Sequence, residues 1–202
     1  MKIDTIIFDI GNVLVKWDPA NLYRKIFPAD EERAHFLNTI CTMEWHTLQD
    51  AGRSPREGTT ELLERYQEHK EAILAFYDRW EEMFAGAIEG TVEILKEVKE
   101  KGYRVYALSN YNAELYQRTV HDFPFLDWFD GKIISSKEKM KKPDENIYHR
   151  LFERFSIRPE TAVFIDDNAA NIATAERLGL SAILFTTPED LRQQLVTRKI
   201  LE

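Results

Sequence analysis

Five apolar runs of strand length recur along the chain, and helical patterns separate most of them. The first run contains Ile6, Ile7 and Phe8, which are β-prone, and it opens the stretch "TIIFDIGNVLVKWD". The other four runs are Tyr103–Asn110, Gly131–Ser136, Ala162–Asn168 and Ser181–Thr186. The helical patterns cover Thr91–Gly102, Asn146–Phe155 and Asn171–Gly179. This alternation predicts an α/β fold with a Rossmann-like parallel sheet core flanked by helices, and a ligand site at the carboxyl ends of the strands.

The segment that follows the first run does not share this alternation. It contains three helical patterns, "PADEERAHFLNTIC", "PREGTTELLERYQEHK" and "EAILAFYDRWEEMFA". A helical insertion directly after a strand that carries a catalytic group most simply forms a lid over the site. We therefore predict an α/β core domain of residues 1–16 and 87–202 and a helical cap domain of residues 17–86. The alternative is a helical layer that only packs against the sheet.

Polar side chains of complementary types follow four of the apolar runs. They are Asp9, then Ser109 and Asn110, then Lys142, and finally Asp166 and Asp167. Because parallel strands end at one edge of a sheet, we expect these side chains to converge. Three carboxylates in one crevice repel each other unless a cation lies among them, and oxygen ligands favour Mg²⁺. A metal, a carboxylate nucleophile and a fixed lysine together indicate phosphoryl transfer.

Composition narrows the expected partners. Charged residues make up 31% of the 202 residues and the net charge is −8, which disfavours nucleic acid but allows a small anionic substrate. Cys41 is the single cysteine, so no intrachain disulfide can form and a reducing compartment is expected. No apolar run approaches the roughly 20 residues of a membrane span, and the N-terminus lacks a signal-peptide pattern. We therefore expect a cytoplasmic protein without a membrane partner, and no oligomer interface can be predicted.

Four motifs give the chain a resemblance to the haloacid dehalogenase-like (HAD) hydrolase superfamily. They are "FDIGNVL", "LSN", "KKPDENIY" and "FIDDNAANI", and they stand in this order along nearly the whole chain. The resemblance implies that Asp9 is the nucleophile, that Ser109 binds phosphate with Asn110 beside it, and that Lys142 neutralises phosphate and nucleophile. It also implies that Asp167 is a direct magnesium ligand with Asp166 in support. The predicted cap is similar to the helical cap of the C1 subgroup.

The resemblance also separates branches of the superfamily. Its 2-haloacid dehalogenases are metal-free and generally lack the acidic pair Asp166–Asp167, so this pair favours a magnesium-dependent phosphatase. Phosphatases of the superfamily usually carry an aspartate acid/base two residues after the nucleophile, and Gly11 stands there instead. Glycine keeps the backbone carbonyl that commonly binds Mg²⁺ at this position, but it removes the proton donor, which is worth typically 10²–10⁴-fold. The "Asp-x-Gly-Asn-Val" form is most similar to a bacterial branch related to sugar-phosphate phosphatases, including glucose-1-phosphate phosphatases.

The expected function is hydrolysis of a small phosphorylated metabolite, with a sugar phosphate favoured, through an aspartyl-phosphate and with Mg²⁺ as cofactor. The alternatives are a 2-haloacid dehalogenase-type hydrolase and a catalytically weak protein of this superfamily that binds a metabolite. In the predicted cap, "MEWHTLQDAG" ends at a predicted turn around Gly52, and its Trp45 and His46 are candidate substrate contacts. The equally compatible alternative is that Trp45 belongs to the core of the cap and that His46 is an ordinary surface residue.

Several further residues have weaker predicted roles. Asn171 could position the metal's water or Lys142, or simply begin a helix, and Tyr111 and Asn112 could face the substrate or shape a loop. Three aromatic residues near the ends of the insertion are predicted to serve packing, namely Trp17, Trp80 and Phe84.

Overall fold

A computed structural model describes residues 2–202 of the chain. Its strands are β1 (Thr5–Phe8), β2 (Val15–Trp17), β3 (Phe84–Ala87), β4 (Arg104–Ser109), β5 (Gly131–Ile134), β6 (Ala162–Asp166) and β7 (Ser181–Leu184). Its α-helices are α1 (Pro19–Ile26), α2 (Asp30–Thr39), α3 (Met43–Asp50), α4 (Pro55–Arg65), α5 (Lys70–Asp78), α6 (Glu89–Glu100), α7 (Ala113–Asp122), α8 (Ser135–Glu138), α9 (Glu145–Phe155), α10 (Ala169–Arg177) and α11 (Pro188–Thr197). None of these helices is long and apolar enough to cross a membrane.

The main sheet has five parallel strands in the order β5-β4-β1-β6-β7. The predicted α/β fold with a parallel sheet is therefore confirmed, and each of the five predicted runs contains one of its strands. Strand β1 is central, and its last residue, Phe8, is in register with Ala107 of β4 and Ile165 of β6. The carboxyl ends of β1, β4 and β6 consequently lie side by side, where polar residues follow each strand.

Side chains of β1 alternate between two apolar layers. Ile6 and Phe8 belong to one layer, which contains Leu95 of α6, whereas Ile7 faces the other layer, which contains Tyr148 of α9. All five side chains are fully buried or nearly so, and burial of such a side chain stabilises the fold by about 1.5–3 kcal/mol. The sheet that holds the strand ends together is thus covered on both faces.

A helical insertion, which comprises α1 to α5, lies between β2 and β3. These two short strands pair antiparallel, with Val15 opposite Ala87 and Trp17 opposite Phe84. The sequence patterns did not predict this pair, helix α1 or helix α3. The predicted helix over 71–85 is wrong in nearly its whole second half, because α5 ends at Asp78 and a 3₁₀ turn over Trp80–Met83 leads into β3. Pairing with β2 takes precedence there over the local helical pattern.

Candidate active site

Asp9 lies directly after the central strand, at the carboxyl edge of the sheet. Its Oδ1 atom accepts hydrogen bonds from the Ile10 N–H and from Ser109 Oγ, both at 2.7 Å. Lys142 Nζ lies 3.0 Å from the same oxygen. Within residues 2–202, no hydrogen bond to Oδ2 is formed. The carboxylate is therefore fixed through one oxygen and keeps the other for a ligand.

The surroundings of Asp9 make its negative charge costly. Burial raises the pKa of Asp9 to about 6 against the attraction of Lys142, and the neighbouring charge of Asp166 raises it further. The hydrogen bond from Ser109 opposes this shift. A bound cation would relieve the repulsion between these carboxylates.

Lys142 is the cation that the fold places between the two buried acids. Its Nζ donates to the Leu108 carbonyl at 2.7 Å and to Asp166 Oδ2 at 2.6 Å, and the side chain is almost fully buried. Burial alone would lower the pKa of Lys142, but the charges of Asp166 and Asp9 outweigh it and hold the pKa above its usual value. The ammonium group is therefore charged and fixed in place.

The side chain of Asn110 holds the backbone of Lys142. Its Nδ2 donates to the Lys142 carbonyl at 2.9 Å, and its Oδ1 accepts from the Lys142 N–H at 2.8 Å. This reciprocal pair joins the end of β4 to the loop that carries the lysine. The side-chain amide of Asn110, which was predicted to lie beside Ser109 at the phosphate, therefore uses both of its polar atoms to position Lys142.

Asp166 and Asp167 are adjacent but differ in their environments. Asp166 is fully buried, and besides Lys142 it accepts from the Asn168 N–H at 2.8 Å and from Asn171 Nδ2 at 3.0 and 3.1 Å. Asn171 therefore contacts this carboxylate directly. Asp167 is exposed and lines a cavity, and burial together with the charge of Asp166 raises its pKa, although Lys142 opposes the shift.

Three carboxylates meet in a geometry that fits a divalent cation. One oxygen from each of Asp9, Asp166 and Asp167 lies within 4.8 Å of the others. Because oxygen donors of this kind suit Mg²⁺, and because the charge of Asp166 adds to the effect of burial in raising the pKa of both Asp9 and Asp167, the donor set fits the ion.

The same edge of the sheet opens into a cavity of about 190 Å³. On the sheet side it is lined by Asp9, Gly11, Asn110, Lys142, Asp167 and Asn171. At Gly11 a Cβ would meet no other heavy atom within 4 Å, so the space beside the nucleophile loop is open. The polar side chains at the sheet edge and the open space at Gly11 therefore lie in the same cavity.

The opposite wall comes mainly from the helical insertion and the β2–β3 pair. It is formed by Val15, Trp17, Met43, His46, Thr47, Asp50, Trp80, Phe84 and Tyr111. Trp17 stacks against His46, with ring centroids 5.3 Å apart, and lies 5.3 Å from the Trp80 ring. This wall is aromatic, with one carboxyl group in it.

His46 is a neutral member of that wall. Burial lowers the pKa of His46 to about 3, and its Nδ1 lies 3.2 Å from Tyr77 Oη. The imidazole therefore supplies a flat, uncharged surface near neutral pH. Trp45 was the other substrate contact predicted in the insertion, but its indole N–H donates to the Gly58 carbonyl at 3.0 Å and it does not line the cavity. The helical rotation between adjacent residues directs Trp45 into the core of the insertion instead.

The structure alters the interpretation of several other residues. Trp17, Trp80 and Phe84 line the cavity as well as packing, and Tyr111 does too, whereas Asn112 Oδ1 accepts from the first backbone N–H groups of α7 and acts as a helix cap. The residue that the sequence patterns left without a role is Asp50. Its position at the end of "MEWHTLQD", just before the turn at Gly52, was the only sequence signal for it.

A family model described as haloacid dehalogenase-like hydrolase matches residues 3–179. The chain therefore belongs to the haloacid dehalogenase-like hydrolase family, as the four motifs indicated. The match includes all four motifs and the whole helical insertion.

Curated relatives are about a quarter identical to the chain over the aligned residues. The sesquiterpene phosphatase astK of Aspergillus oryzae is 26% identical over 192 residues, which cover 93% of this chain and 94% of that protein. The drimenol cyclase drtB of Aspergillus calidoustus is 27% identical over 200 residues, and here the match covers 94% of this chain but 35% of the cyclase. This chain therefore spans about a third of the length of that relative.

Among solved structures, the HAD family enzyme bt-2542 of Bacteroides thetaiotaomicron is similar to the chain in fold. Its complex with magnesium and inorganic phosphate aligns with a TM-score of 0.73 and 24% identity, and covers 95% of this chain and 98% of that one. The likeness supports the architecture described above.

Proposed function

We propose that this chain is a magnesium-dependent phosphatase that hydrolyses a small phosphorylated metabolite with Asp9 as the nucleophile. The observation that carries the proposal is the state of the Asp9 carboxylate. One oxygen is fixed by Ser109, Ile10 and Lys142, while the other is unpaired within residues 2–202 and the residue lines the cavity. This is the arrangement that an in-line attack on phosphorus requires.

The metal would be held by Asp9, Asp167 and the backbone carbonyl of Gly11, with Asp166 in support. This set follows from the carboxylate cluster, from the exposure of Asp167 to the cavity and from the full engagement of Asp166 with protein donors. When bound, Mg²⁺ supplies positive charge that neutralises the phosphoryl oxygens and orients them. The HAD family enzyme bt-2542 binds magnesium together with inorganic phosphate, which supports the choice of this ion.

The chain's own residues then divide the remaining work. Asp9 Oδ2 forms a bond to phosphorus as the bond to the leaving oxygen breaks, which gives an aspartyl-phosphate that water later hydrolyses. Lys142 balances the charge of Asp9 and of the phosphoryl group. Ser109 orients Asp9 by donating its hydroxyl proton to it, and the hydroxyl would turn from Asp9 to donate to phosphate. Asn110 acts mainly through its hold on the Lys142 backbone.

Residues 17–86 would serve as a cap domain on the core of residues 1–16 and 87–202, because the insertion supplies the wall facing Asp9. A sugar phosphate is the substrate that we favour. Trp17 and Trp80 offer flat apolar faces, and the buried indole N–H of Trp17 has no hydrogen-bond partner within residues 2–202. A relative from Thermotoga maritima, 28% identical over 188 residues, is a phosphorylated carbohydrates phosphatase, and the match covers 89% of this chain and 83% of that protein.

The test is release of inorganic phosphate from a panel of phosphorylated metabolites, with MgCl₂ and after EDTA treatment, by the wild type and the Asp9→Asn variant. We expect release only with Mg²⁺ and only from the wild type, with sugar phosphates among the best substrates. Halide release from 2-haloacids that survives EDTA would instead support the dehalogenase alternative. Tight binding of a phosphorylated metabolite without any turnover would support the binding-protein alternative.

A further inference from the structure

Asp50, the last residue of α3, is a buried carboxyl group in the wall that faces the nucleophile. The residue is 6% exposed, and it lines the same cavity as Asp9 and Gly11. It belongs to none of the motifs that placed the other acids at the site. No ion pair formed within residues 2–202 includes it. A buried acid without a paired cation needs either protonation or a ligand to compensate it.

The backbone at Asp50 is fixed to the sheet edge. Its carbonyl accepts a hydrogen bond of 2.6 Å from Ser135 Oγ, and the same hydroxyl accepts from the Tyr111 N–H at 2.9 Å. Asn112 Nδ2 donates to the neighbouring Gln49 carbonyl at 3.3 Å. The end of α3 is thereby held against the residues that follow β4 and β5, so the carboxyl has a defined place opposite the nucleophile loop.

The groups around the Asp50 carboxyl allow it to carry a proton near neutral pH. Burial raises its pKa to about 7, the attraction of Lys141 and the Asn112 backbone N–H oppose this, and the charge of Asp9 adds to it. The other titratable groups of this wall are His46 and Tyr111, and burial keeps both neutral. The charged groups on the facing side of the cavity are Asp9, Lys142 and Asp167. A group that can be either charged or protonated at the working pH suits proton transfer.

The nucleophile loop has no such group, because Gly11 stands where an acid side chain would project. The space there is open, with no heavy atom within 4 Å of a Cβ at that position. We propose that Asp50 is the general acid and base of the reaction, and that it supplies from the helical insertion the proton transfer that position 11 cannot. This inference rests on the phosphatase function proposed above.

The proposed proton transfers balance over the two steps. In the first, Asp9 bonds to phosphorus, the bond from phosphorus to the leaving oxygen breaks, and the Asp50 carboxylic acid gives its proton to that oxygen, which leaves as an alcohol. In the second, a water oxygen bonds to phosphorus, the Asp9–phosphorus bond breaks, and the Asp50 carboxylate takes a proton from the water. Inorganic phosphate leaves, and both side chains return to their starting states.

The test compares the Asp50→Asn variant on two esters, a primary alkyl phosphate and p-nitrophenyl phosphate. We expect a loss of about 10²–10⁴-fold in kcat on the alkyl ester, where the leaving oxygen needs a proton. On the p-nitrophenyl ester, whose leaving group departs as a stable anion, we expect a loss below about tenfold. Asp78→Asn is the matched control, because Asp78 is also the last residue of a helix in the insertion but is exposed, and its activity should equal that of the wild type.

A second variant separates chemistry from folding. Gly11→Asp added to Asp50→Asn should restore turnover of the alkyl phosphate, because the open space at position 11 admits an acid. Equal losses on the two esters, or wild-type turnover of the alkyl ester by Asp50→Asn, would overturn the role of Asp50. If the wild type with Mg²⁺ hydrolyses neither ester nor any other phosphorylated metabolite, the phosphatase function itself fails, and the role of Asp50 fails with it.

Discussion

Lys142 Nζ lies 2.6 Å from Asp166 Oδ2 in an ion pair that is almost completely shielded from water. Asp9 shares the same ammonium group at 3.0 Å, so one cation balances two buried acids. Such a pair contributes little net stability when intact, but removal of one partner leaves an uncompensated buried charge. The lysine is therefore structural as well as functional.

Replacement of Lys142 by Met should lower the free energy of unfolding by about 3–5 kcal/mol at neutral pH and abolish phosphate release. Urea unfolding measures the first effect and a phosphate assay the second. Lys141→Met is the control, because Lys141 forms no ion pair within residues 2–202, and its unfolding free energy should change by no more than about 0.5 kcal/mol. Equal stability of the two variants would contradict the stabilising role of Lys142 between Asp9 and Asp166.

Magnesium should stabilise the wild type against heat, because the ion binds the carboxylate cluster of the folded state. At a concentration 100 times the Kd, the stabilisation is about 2.7 kcal/mol. Asp167→Asn should lose most of this gain, since it removes a charged ligand that faces the cavity. A thermal shift measured with and without MgCl₂ checks this, with Asp78→Asn as the control, and an unchanged shift in Asp167→Asn would exclude that residue as a ligand.

His46 should make the free energy of unfolding depend on pH in the acidic range. Burial lowers the pKa of His46 to about 3 in the folded protein, below the ordinary value of 6.5. As the pH falls, the unfolded chain therefore binds a proton at this residue before the folded protein does. The stability due to the neutral ring is complete above pH 6.5 and is lost as the pH falls toward 3, by up to about 5 kcal/mol. His46→Phe keeps a ring beside Trp17 and removes this titration.

The measurement is urea unfolding of the wild type and His46→Phe at a series of pH values. The difference between the two free energies isolates His46 from the acids of the site, whose titrations are common to both proteins. We expect the wild type to lose stability relative to the variant below about pH 6.5. Parallel curves would show that the imidazole is already accessible to water.

Trp17 should affect the organic part of the substrate and not the phosphate. Trp17 lines the cavity next to the rings of His46 and Trp80 and offers no charged group to the phosphate. Trp17→Leu should raise the KM for a sugar phosphate by about two- to tenfold, as expected for the loss of an aromatic contact. Inhibition by inorganic phosphate is the internal control and should be unchanged. If the variant bound the sugar phosphate and inorganic phosphate more weakly by the same factor, Trp17 would affect the whole site and not only the organic part of the substrate.

The sheet and the residues at its edge could be predicted because they depend on local patterns. An apolar run that ends in polar residues identifies strand and edge together, and this places Asp9, Ser109 and Asp166 correctly. Lys142 follows its strand at a distance, and its motif located it. The ion pairs among these residues could not be predicted, since they depend on how three separate strands align.

The helical insertion was less predictable because its geometry comes from long-range packing. The pairing of β2 with β3 joins residues that are far apart in sequence, and it ends α5 at Asp78. Within α3, Trp45 and His46 are equally good candidates from the sequence. Only the orientation of the helix decides that Trp45 packs in the core of the insertion and that His46 lines the cavity. Asp50 received no role because nothing in the sequence links the end of this helix to the Gly11 position.

The central claim is that Asp9 carries the phosphoryl group during turnover. The most direct measurement is acid quenching of the protein during hydrolysis with Mg²⁺, followed by mass spectrometry of its peptides. We predict a phosphoryl group on the peptide that contains Asp9, and none in the Asp9→Asn variant. Phosphate release by the wild type without this adduct, together with full activity of Asp9→Asn, would contradict the account.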